Sequence, residues 1–550
     1  MIQTILQSFI IYYNLFYVSF GMIKKTTIKK VNDMLIKIHN AQQLIECEYQ
    51  QPVLLSQILK EQQVFIDMPC NGLGICGKCK VIVRGNVSLA SPKEQTLLAH
   101  ETNPDIRLAC MTYAQGDCEI ILIEQKTQIV TDGYLPPFEY CPTSHQYGFA
   151  VDIGTTTVAV YLYSLQDCKL LDKYSFTNPQ TVSGADVVSR IQECLNGKSQ
   201  QLQQMICDKL QQVFLLLCKQ NQISATQIEP IVITGNTTML YLLTHQEVEP
   251  LSHAPFEISE YFGKVIPTTQ IGLTCLSNAT VYLPRTISAF VGSDITCSIL
   301  SSDLTNFPKP TLMVDIGTNG EMALFHQNQL YCCSTAAGPA FEGADITMGM
   351  NAASGAINHV FYQDGTICWN TIQHTKPVGI CGSGLIDAIA CFIQTGLIDE
   401  TGLINEEHEQ YGHYITEYQE EPAIQIGDSQ ILITQKDIRA VQLAKAAICA
   451  GIYSLIHQAK LEVTAVDSFV LAGGFGSFIN CEHAGVIGLI PKELSQKAHS
   501  IGNAAGMGAI MILLSQKEQL HSEQIALQAQ ALNLASSPYF MDKYIECMMF

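Results

Sequence analysis

The chain has 550 residues, enough at roughly 150 per domain for three or four domains. Hydrophobic residues make up 47% and charged residues only 15%, against about 25% charged in an average globular protein, so large buried cores are expected and extended disorder is excluded. Fifty acidic against 30 basic residues leave a net charge of −20, a field that repels phosphate backbones and argues against nucleic acid as a partner. The 21 cysteines are too dispersed for a small disulfide scaffold; they point to a reducing, cytoplasmic setting in which they are core residues or ligands.

Residues 1–21 are apolar but lack a basic leading region and a small-residue cleavage site, and Gln3, Gln7, Ser8 and Asn14 interrupt them. The expectation is a mis-assigned translation start, with Met22 or Met34 as the true beginning and 1–33 an extension outside the fold; a membrane tether is the alternative. From Met34, LIKI (35–38) and LIECEY (44–49) read as two strands, and Leu54, Leu55, Ile58 and Leu59 share one helical face. VIVRGNV (81–87) reads as a strand entering a Gly-Asn turn, and Ser91-Pro92-Lys93-Glu94 as a capping box opening a helix at 92. CEIILIE (118–124) is the last strand of a unit spanning 34–125, and Pro136, Pro137 and Pro142 mark a linker over 126–147.

Between the helix and the strand at 81 lies MPCNGLGICGKC. It satisfies GxGxxG, but Pro69 precedes it and a strand follows it, so a dinucleotide loop is out. As a phosphate loop it has Cys79 where a Mg²⁺-binding hydroxyl is needed, and as a thioredoxin dithiol it leaves Cys70 and Cys110 without a role. All four thiols are used if Cys70, Cys76, Cys79 and Cys110 hold one [2Fe–2S] cluster, with Gly72, Gly74 and Gly77 letting the loop curl so that its N–H groups face the sulfides. The gaps of five, two and thirty residues exceed the plant-type pattern by one in the first gap, as in the adrenodoxin-like branch of ferredoxins. A four-Cys zinc site would prefer paired CxxC knuckles, and an incidental glycine-rich turn is the remaining alternative.

The remainder alternates strands with long helices (201–218, 436–459), an α/β signature. VDIGT occurs at 151–155 and again at 314–318, 163 residues apart, each time ahead of a second apolar strand, which predicts two similar half-domains facing each other. Each hairpin carries a carboxylate to a strand end beside a Gly turn with hydroxyl residues: Asp152, Gly154, Thr155 and Thr156 in one, and Asp315, Gly317, Thr318, Asn319 and Gly320 in the other. That arrangement suits phosphate and Mg²⁺, and Glu321 adds a carboxylate able to orient an attacking water. Alone, each DxGT reads as an ordinary β-turn. Gly473-Gly474-Phe475-Gly476 follows an apolar strand and suits close approach of adenosine or phosphate; Gly379-Ile-Cys-Gly382-Ser383-Gly384 opens a helix, and Thr234-Gly235-Asn236-Thr237-Thr238-Met239 stands with them.

Two aspartate hairpins with a late GGFG loop resemble the ATP-binding signature of the acetate kinase, sugar kinase, heat-shock chaperone and actin superfamily. With the cysteine loop ahead of them, and with Asn178-Pro-Gln, Gly184-Ala-Asp186 and Gly338-Pro-Ala-Phe341-Glu342-Gly343-Ala in order, the chain from about Met34 onward resembles the reductive activators of corrinoid proteins. The resemblance implies a multidomain protein: an N-terminal β-grasp ferredoxin-like α+β domain, a middle region over 148–300 and a C-terminal region over 301–550, the last two forming a duplicated, actin-like α/β ATPase core. It further implies ATP with Mg²⁺, a low-potential external electron donor, and a partner corrinoid protein reduced from cob(II) to cob(I). No cobalamin-binding fingerprint occurs, so the corrinoid would belong to the partner; the oligomeric state stays open, a homodimer included. A ferredoxin-type carrier with a non-hydrolysing nucleotide domain and a small-molecule kinase with an accessory ferredoxin domain are the rival readings.

Overall fold

Every second residue of MLIKIH is apolar, and in strand β1 (Met34–His39) these residues, Met34, Ile36 and Ile38, are the buried ones. The computed structural model describes residues 34–550 apart from 40–43, 63, 65, 67–73, 75, 76, 78, 100, 102, 124–132 and 142–144. β1 pairs antiparallel with β2 (Leu44–Tyr49); after β3 (Val53–Leu54), helix α1 (Leu55–Glu61) covers the sheet with Leu55, Ile58 and Leu59. β4 (Lys80–Val87), helix α2 (Pro92–Leu97), β5 (Ile106–Leu108) and β6 (Tyr113–Leu122) complete the unit, with sheet order β2-β1-β6-β4-β5 and β1 parallel to β6. This is the ferredoxin-like α+β arrangement expected. Gly85-Asn86 is a bulge inside β4 instead of a turn, because β6 begins earlier than its apolar run suggests and pairing continues to Val87 and Ala114.

The capping box is half formed. Ser91 accepts from the Glu94 N–H at 3.1 Å, but the Glu94 side chain turns inward and is fully buried. Its carboxylate accepts from Arg107 Nε and Nη2, each at 2.9 Å, from the Leu108 N–H and from the Thr112 hydroxyl. Burial opposes its charge, yet these donors hold its carboxyl below the usual carboxylate range.

Two six-stranded sheets follow, built on one plan. In the first, β7 (Tyr147–Ile153), β8 (Thr157–Ser164) and β9 (Lys169–Thr177) form an antiparallel meander; helix α3 (Ser199–Gln220) leads to β10 (Ile228–Gly235), parallel to β7, and helix α4 (Thr237–Thr244) follows. β11 (Lys264–Pro267) and β12 (Thr280–Leu283) give the order β11-β12-β10-β7-β8-β9, and helix α5 (Ser293–Ser301) leads out. The second sheet repeats the meander in β13 (Thr311–Ile316), β14 (Gly320–His326) and β15 (Gln329–Thr335). After helices α6 (Gly382–Thr395) and α7 (Gln435–Gln458), β16 (Ser468–Ala472) and β17 (Ala498–Gly502) join parallel on the β13 side, and a short strand, Gln530–Ala531, pairs with β15. The repeated VDIGT is the sequence trace of this duplication.

Helix α8 (Ala504–Leu514) is apolar on all sides because it lies between the two sheets with α5. Their crossing is close: a Cβ on Gly508 would sit 2.1 Å from the Cys297 carbonyl oxygen. Tyr161 and Ala150 from one sheet and Met313 and Ala323 from the other share this core, which joins the half-domains. Within the stretch read as a linker, residues 134–141 run along this seam, with Tyr134 N–H donating to Ile501 and Cys141 N–H to Leu514. Among the described residues α7 is long and apolar enough to cross a membrane, and most of it is buried within the protein.

Candidate functional site

Asp152 and Asp315 each stand one residue before the end of the first strand of a meander, and the chain turns sharply after each. The Gly154 N–H donates to the Thr157 carbonyl and the Gly317 N–H to the Asn319 carbonyl, both at 2.9 Å. The hairpins meet: Thr156 donates its hydroxyl to Glu342 Oε2 at 2.5 Å and Thr318 donates to Glu342 Oε1 at 2.9 Å. One carboxylate from the GPAFEGA segment therefore bridges both half-domains. The back of the first hairpin is held by Arg190, fully buried, which donates to the carbonyls of Thr155 (2.5 Å) and Gly184 (2.9 Å), while Asn178 donates to the Gly154 carbonyl at 2.9 Å. Burial pulls the Arg190 guanidinium down to about 10. The Asn178-Pro-Gln and Gly184-Ala-Asp186 motifs thus shape the cradle from behind.

Three aspartates converge between the hairpins. Enclosure by protein, opposed by a hydrogen bond from Asn503 and reinforced by Asp315, pushes Asp152 up to about 7. Enclosure and then Glu342 push Asp315 up to about 6; enclosure and then Asp152 push Asp294, in the first turn of α5, up to about 8. Glu321 is raised well above the carboxylate range, by burial first and then by Asp294 and Asp315, although Asn236 Nδ2 donates to its Oε1 at 3.0 Å. So many like-charged oxygens, short of cationic partners, form a donor set suited to a hard divalent cation. Asp294, Glu342, Arg190 and Asn503 were not among the predicted site residues. An Asp in the first turn of a helix ordinarily reads as a complement to the helix dipole, and nothing local marks the other three.

The glycine loops converge on the same cleft. Gly473 has φ +82°, and a Cβ there would lie 2.2 Å from Asp315 Oδ1, so the GGFG loop touches the second hairpin's carboxylate. Gly474 and Gly476 complete the single turn Gly473–Gly476. A Cβ on Gly382 would lie 1.9 Å from the Phe341 carbonyl oxygen, and the rings of Phe341 and Phe475 stack with centroids 5.8 Å apart. Gly320 and Gly384 have packing reasons of their own: their Cβ positions would meet Thr335 and Ile448, and the Ile357 carbonyl, respectively. His483 Nδ1 donates to the carboxylate of the buried Asp387 of α6 at 2.6 Å, tying helix Cys481–Val486, just past GGFG, to α6.

Of the four predicted cluster ligands, Cys70 and Cys76 lie outside the described residues, as does Gly72. Cys79 Sγ donates to Cys110 Sγ at 3.2 Å across thirty intervening residues, with no disulfide between them. The Ala109 N–H donates to the Cys79 carbonyl at 2.9 Å and fixes this pairing. Gly74 and Gly77 both have φ +64°, the curled backbone predicted for the loop. Two thiols side by side at the end of a curled loop fit adjacent ligands of one iron. Cys47 and Cys118, the other cysteines of this unit, sit on the sheet, and burial pushes the Cys118 thiol up to about 11. The N-terminus of α1 is bonded to the Cys110 segment, Ser56 N–H to Ala109 and Leu55 N–H to Thr112, each at 2.9 Å. The far side of α1 faces the cleft: Ser56 and Lys60 line a cavity of about 280 Å³ together with Thr156, Thr181, Glu342 and Asn351.

Fold and site define the class: an iron–sulfur electron-carrier unit joined to a duplicated, actin-like ATPase core. Residues 36–115 match the 2Fe-2S iron–sulfur cluster binding domain, 147–306 the RACo middle region, and 309–550 the C-terminal domain of RACo, the ASKHA domain. The chain is 35% identical over 423 residues to the corrinoid activation enzyme RamQ of Eubacterium limosum, covering 74% of this chain and 70% of that protein. It is 26% identical over 432 residues to the Co(II) methylated amine-specific corrinoid protein reductase of Methanosarcina barkeri, covering 72% of this chain and 76% of that protein. A solved structure of a reductive activator for corrinoid, iron–sulfur protein superposes with a TM-score of 0.67 at 27% identity, covering 94% of this chain and 98% of that one. The chain belongs to the RACo family of reductive activators of corrinoid proteins.

Proposed function

We infer that this protein is an ATP-dependent reductive activator that passes an electron from a [2Fe–2S] cluster to a corrinoid protein partner, returning cob(II) to cob(I). The observation that carries this reading is the joining, in the family's order, of a paired-cysteine redox site to a carboxylate-lined cleft between duplicated half-domains. Cys70, Cys76, Cys79 and Cys110 would hold the cluster, which would supply one electron at a time. Asp152, Asp294 and Asp315 would hold Mg²⁺ with ATP, and Glu321, steadied by Asn236, would orient the attacking water. Backbone N–H groups and hydroxyls of Gly154, Thr155, Thr156, Gly317, Thr318, Asn319 and Gly320 meet the phosphates; Gly382, Gly384, Gly473, Gly474 and Gly476 admit the nucleoside end.

Reduction of the corrinoid runs uphill by roughly 1.4 kcal/mol for every 59 mV of one-electron potential gap. Closure of the cleft can offset that gap only if ATP binds the open and closed states with different affinity. Glu342 would couple the two, since opening or closing must break or make its bond to Thr156, while its bond to Thr318 holds it within its own half-domain. α1 carries the same signal to the Cys110 segment. The protein acts in the cytoplasm, with a low-potential external donor, and the corrinoid is the partner's. The test is phosphate release from ATP with and without an oxidised corrinoid protein of the methyltransferase class. Stimulation by that protein, and none by acetate or sugars, is expected; hydrolysis that transferred phosphate to acetate or a sugar would replace this reading with that of a kinase.

A further inference from the structure

Helix α7 and the C-terminal helix α9 (Pro538–Glu546) pack antiparallel, and their contacts step along both by about one turn. The His457 and Tyr539 rings stack with centroids 4.0 Å apart, and Lys543 Nζ lies 5.3 Å from the centre of the Tyr453 ring. At the other end Lys445, fully buried, donates through Nζ to the Met549 carbonyl and lies 5.0 Å from the centre of the Phe550 ring. The α7 partners run 457, 453, 445 as the facing partners run 539, 543, 549. The missing turn of this ladder is occupied by Cys449 and Cys547, which fall in the same register. Neither thiol is in a disulfide, and each perturbs the other's titration, Cys449 upward and Cys547 downward.

We propose that Cys449 and Cys547 form a dithiol–disulfide couple, a second redox centre separate from the cluster cysteines, which closes when the protein meets a disulfide oxidant of the glutathione type. The packing decides the order of events. Cys449 is 4% exposed, whereas Cys547 is half-buried and reachable. Cys449 beside it, with the ammonium groups of Lys445 and Lys543, holds the Cys547 thiol below the ordinary thiol range, while its neighbour Cys547 and burial raise Cys449. Cys547 thiolate attacks one sulfur of the oxidant's disulfide; that S–S bond breaks and one glutathione thiolate leaves. Cys449 then loses its proton and attacks the Cys547 sulfur, forming the intramolecular S–S bond and expelling the second glutathione. Two electrons pass from the two protein thiols to the oxidant, and the two thiol protons leave with its two reduced halves. The closed bond clamps α9 onto α7, the helix whose Asp437 accepts from the Thr347 N–H and hydroxyl at 2.7 and 3.0 Å, a few residues beyond Glu342.

The experiment uses the full-length, iron-loaded protein. It is incubated anaerobically with excess oxidised glutathione, alkylated, digested without reductant and mapped by mass spectrometry. The expected result is a single cross-linked peptide joining Cys449 and Cys547, lighter by about 2 Da than the two thiol peptides together and reversed by dithiothreitol, with iron content unchanged. The Cys449→Ser variant should stop at a glutathione adduct on Cys547, and Cys547→Ser should leave Cys449 unmodified. Wild-type protein in which both cysteines are alkylated separately, or in which Cys547 keeps glutathione without cross-linking, would overturn the proposal; this arm needs no variant to fold.

Discussion

Replacing Gly473 by alanine tests the alignment of the cleft with a single methyl group. The new Cβ would stand 2.2 Å from Asp315 Oδ1, where ordinary contact begins near 3.4 Å, so the carboxylate or the loop must yield by about 1.2 Å. The backbone at φ +82° adds a strain of about 1–2 kcal/mol for any residue with a Cβ. A displacement of about 1 Å at a reacting centre costs on the order of 100-fold in rate, equivalent to about 2.7 kcal/mol of barrier. ATP turnover, followed by phosphate release at saturating Mg²⁺, should therefore fall by about that factor. Iron content and the reduced-state EPR signal should stay at wild-type values, because Gly473 lies in the ATPase core, outside the cysteine unit. A thermal melt controls for unfolding. Turnover within about twofold of wild type in a folded Gly473→Ala protein would show that Asp315 is not held against the reacting end of the nucleotide, and the alignment argument would fail.

Other substitutions and conditions separate the parts of the account. Cys110→Ser should lose iron and the reduced-state EPR signal; full iron retention would move the fourth ligand elsewhere in the chain. The double variant Asp152→Asn and Asp315→Asn keeps shape while removing two metal-facing charges, and surviving turnover would leave both hairpins as structural turns. The nucleotide-free protein should lose stability as pH rises from about 4 to about 8. Asp315, Asp152 and Asp294 titrate near 6, 7 and 8 in the folded state but near 4 in the unfolded chain, so over that window the folded state holds protons that the unfolded one has released. Mg²⁺ with a non-hydrolysable ATP analogue should bind more tightly toward pH 8, release protons on binding, and flatten that slope; thermal midpoints across pH with and without it supply the check, and a slope of the opposite sign would contradict the carboxylate cluster.

The hairpins were legible because everything that makes them is local: an apolar strand, an aspartate at its end and a Gly-Thr turn lie within seven residues. The cysteine loop was legible for the same reason, whereas Cys110 lies thirty residues on and is brought beside Cys79 only by the fold. What escaped was long-range. Glu342 stood in a recognised segment, but its bridge joins positions 186 and 24 residues away, and no pattern in its own neighbourhood shows that. Glu94 satisfied a capping-box pattern and was drawn instead into a buried ion pair with Arg107, because tertiary burial outweighs a local hydrogen bond at a helix end. Glycine is ambiguous by nature: Gly473 marks approach to the site, whereas Gly320 and Gly384 mark tight packing, and the letter is the same.

The central claim is that hydrolysis and electron transfer are coupled, and cob(I) formation reads that coupling directly. The protein, its cluster reduced beforehand under anaerobic conditions, is mixed with an oxidised corrinoid protein partner, and the cob(I) absorbance is followed with ATP and Mg²⁺ present, with each omitted in turn, and with the Gly473→Ala protein. The account predicts that cob(I) accumulates only when reduced cluster, ATP and Mg²⁺ are all present, and that Gly473→Ala slows it in step with its ATP turnover. Cob(I) appearing at the full rate without ATP would contradict it and leave a ferredoxin-type carrier.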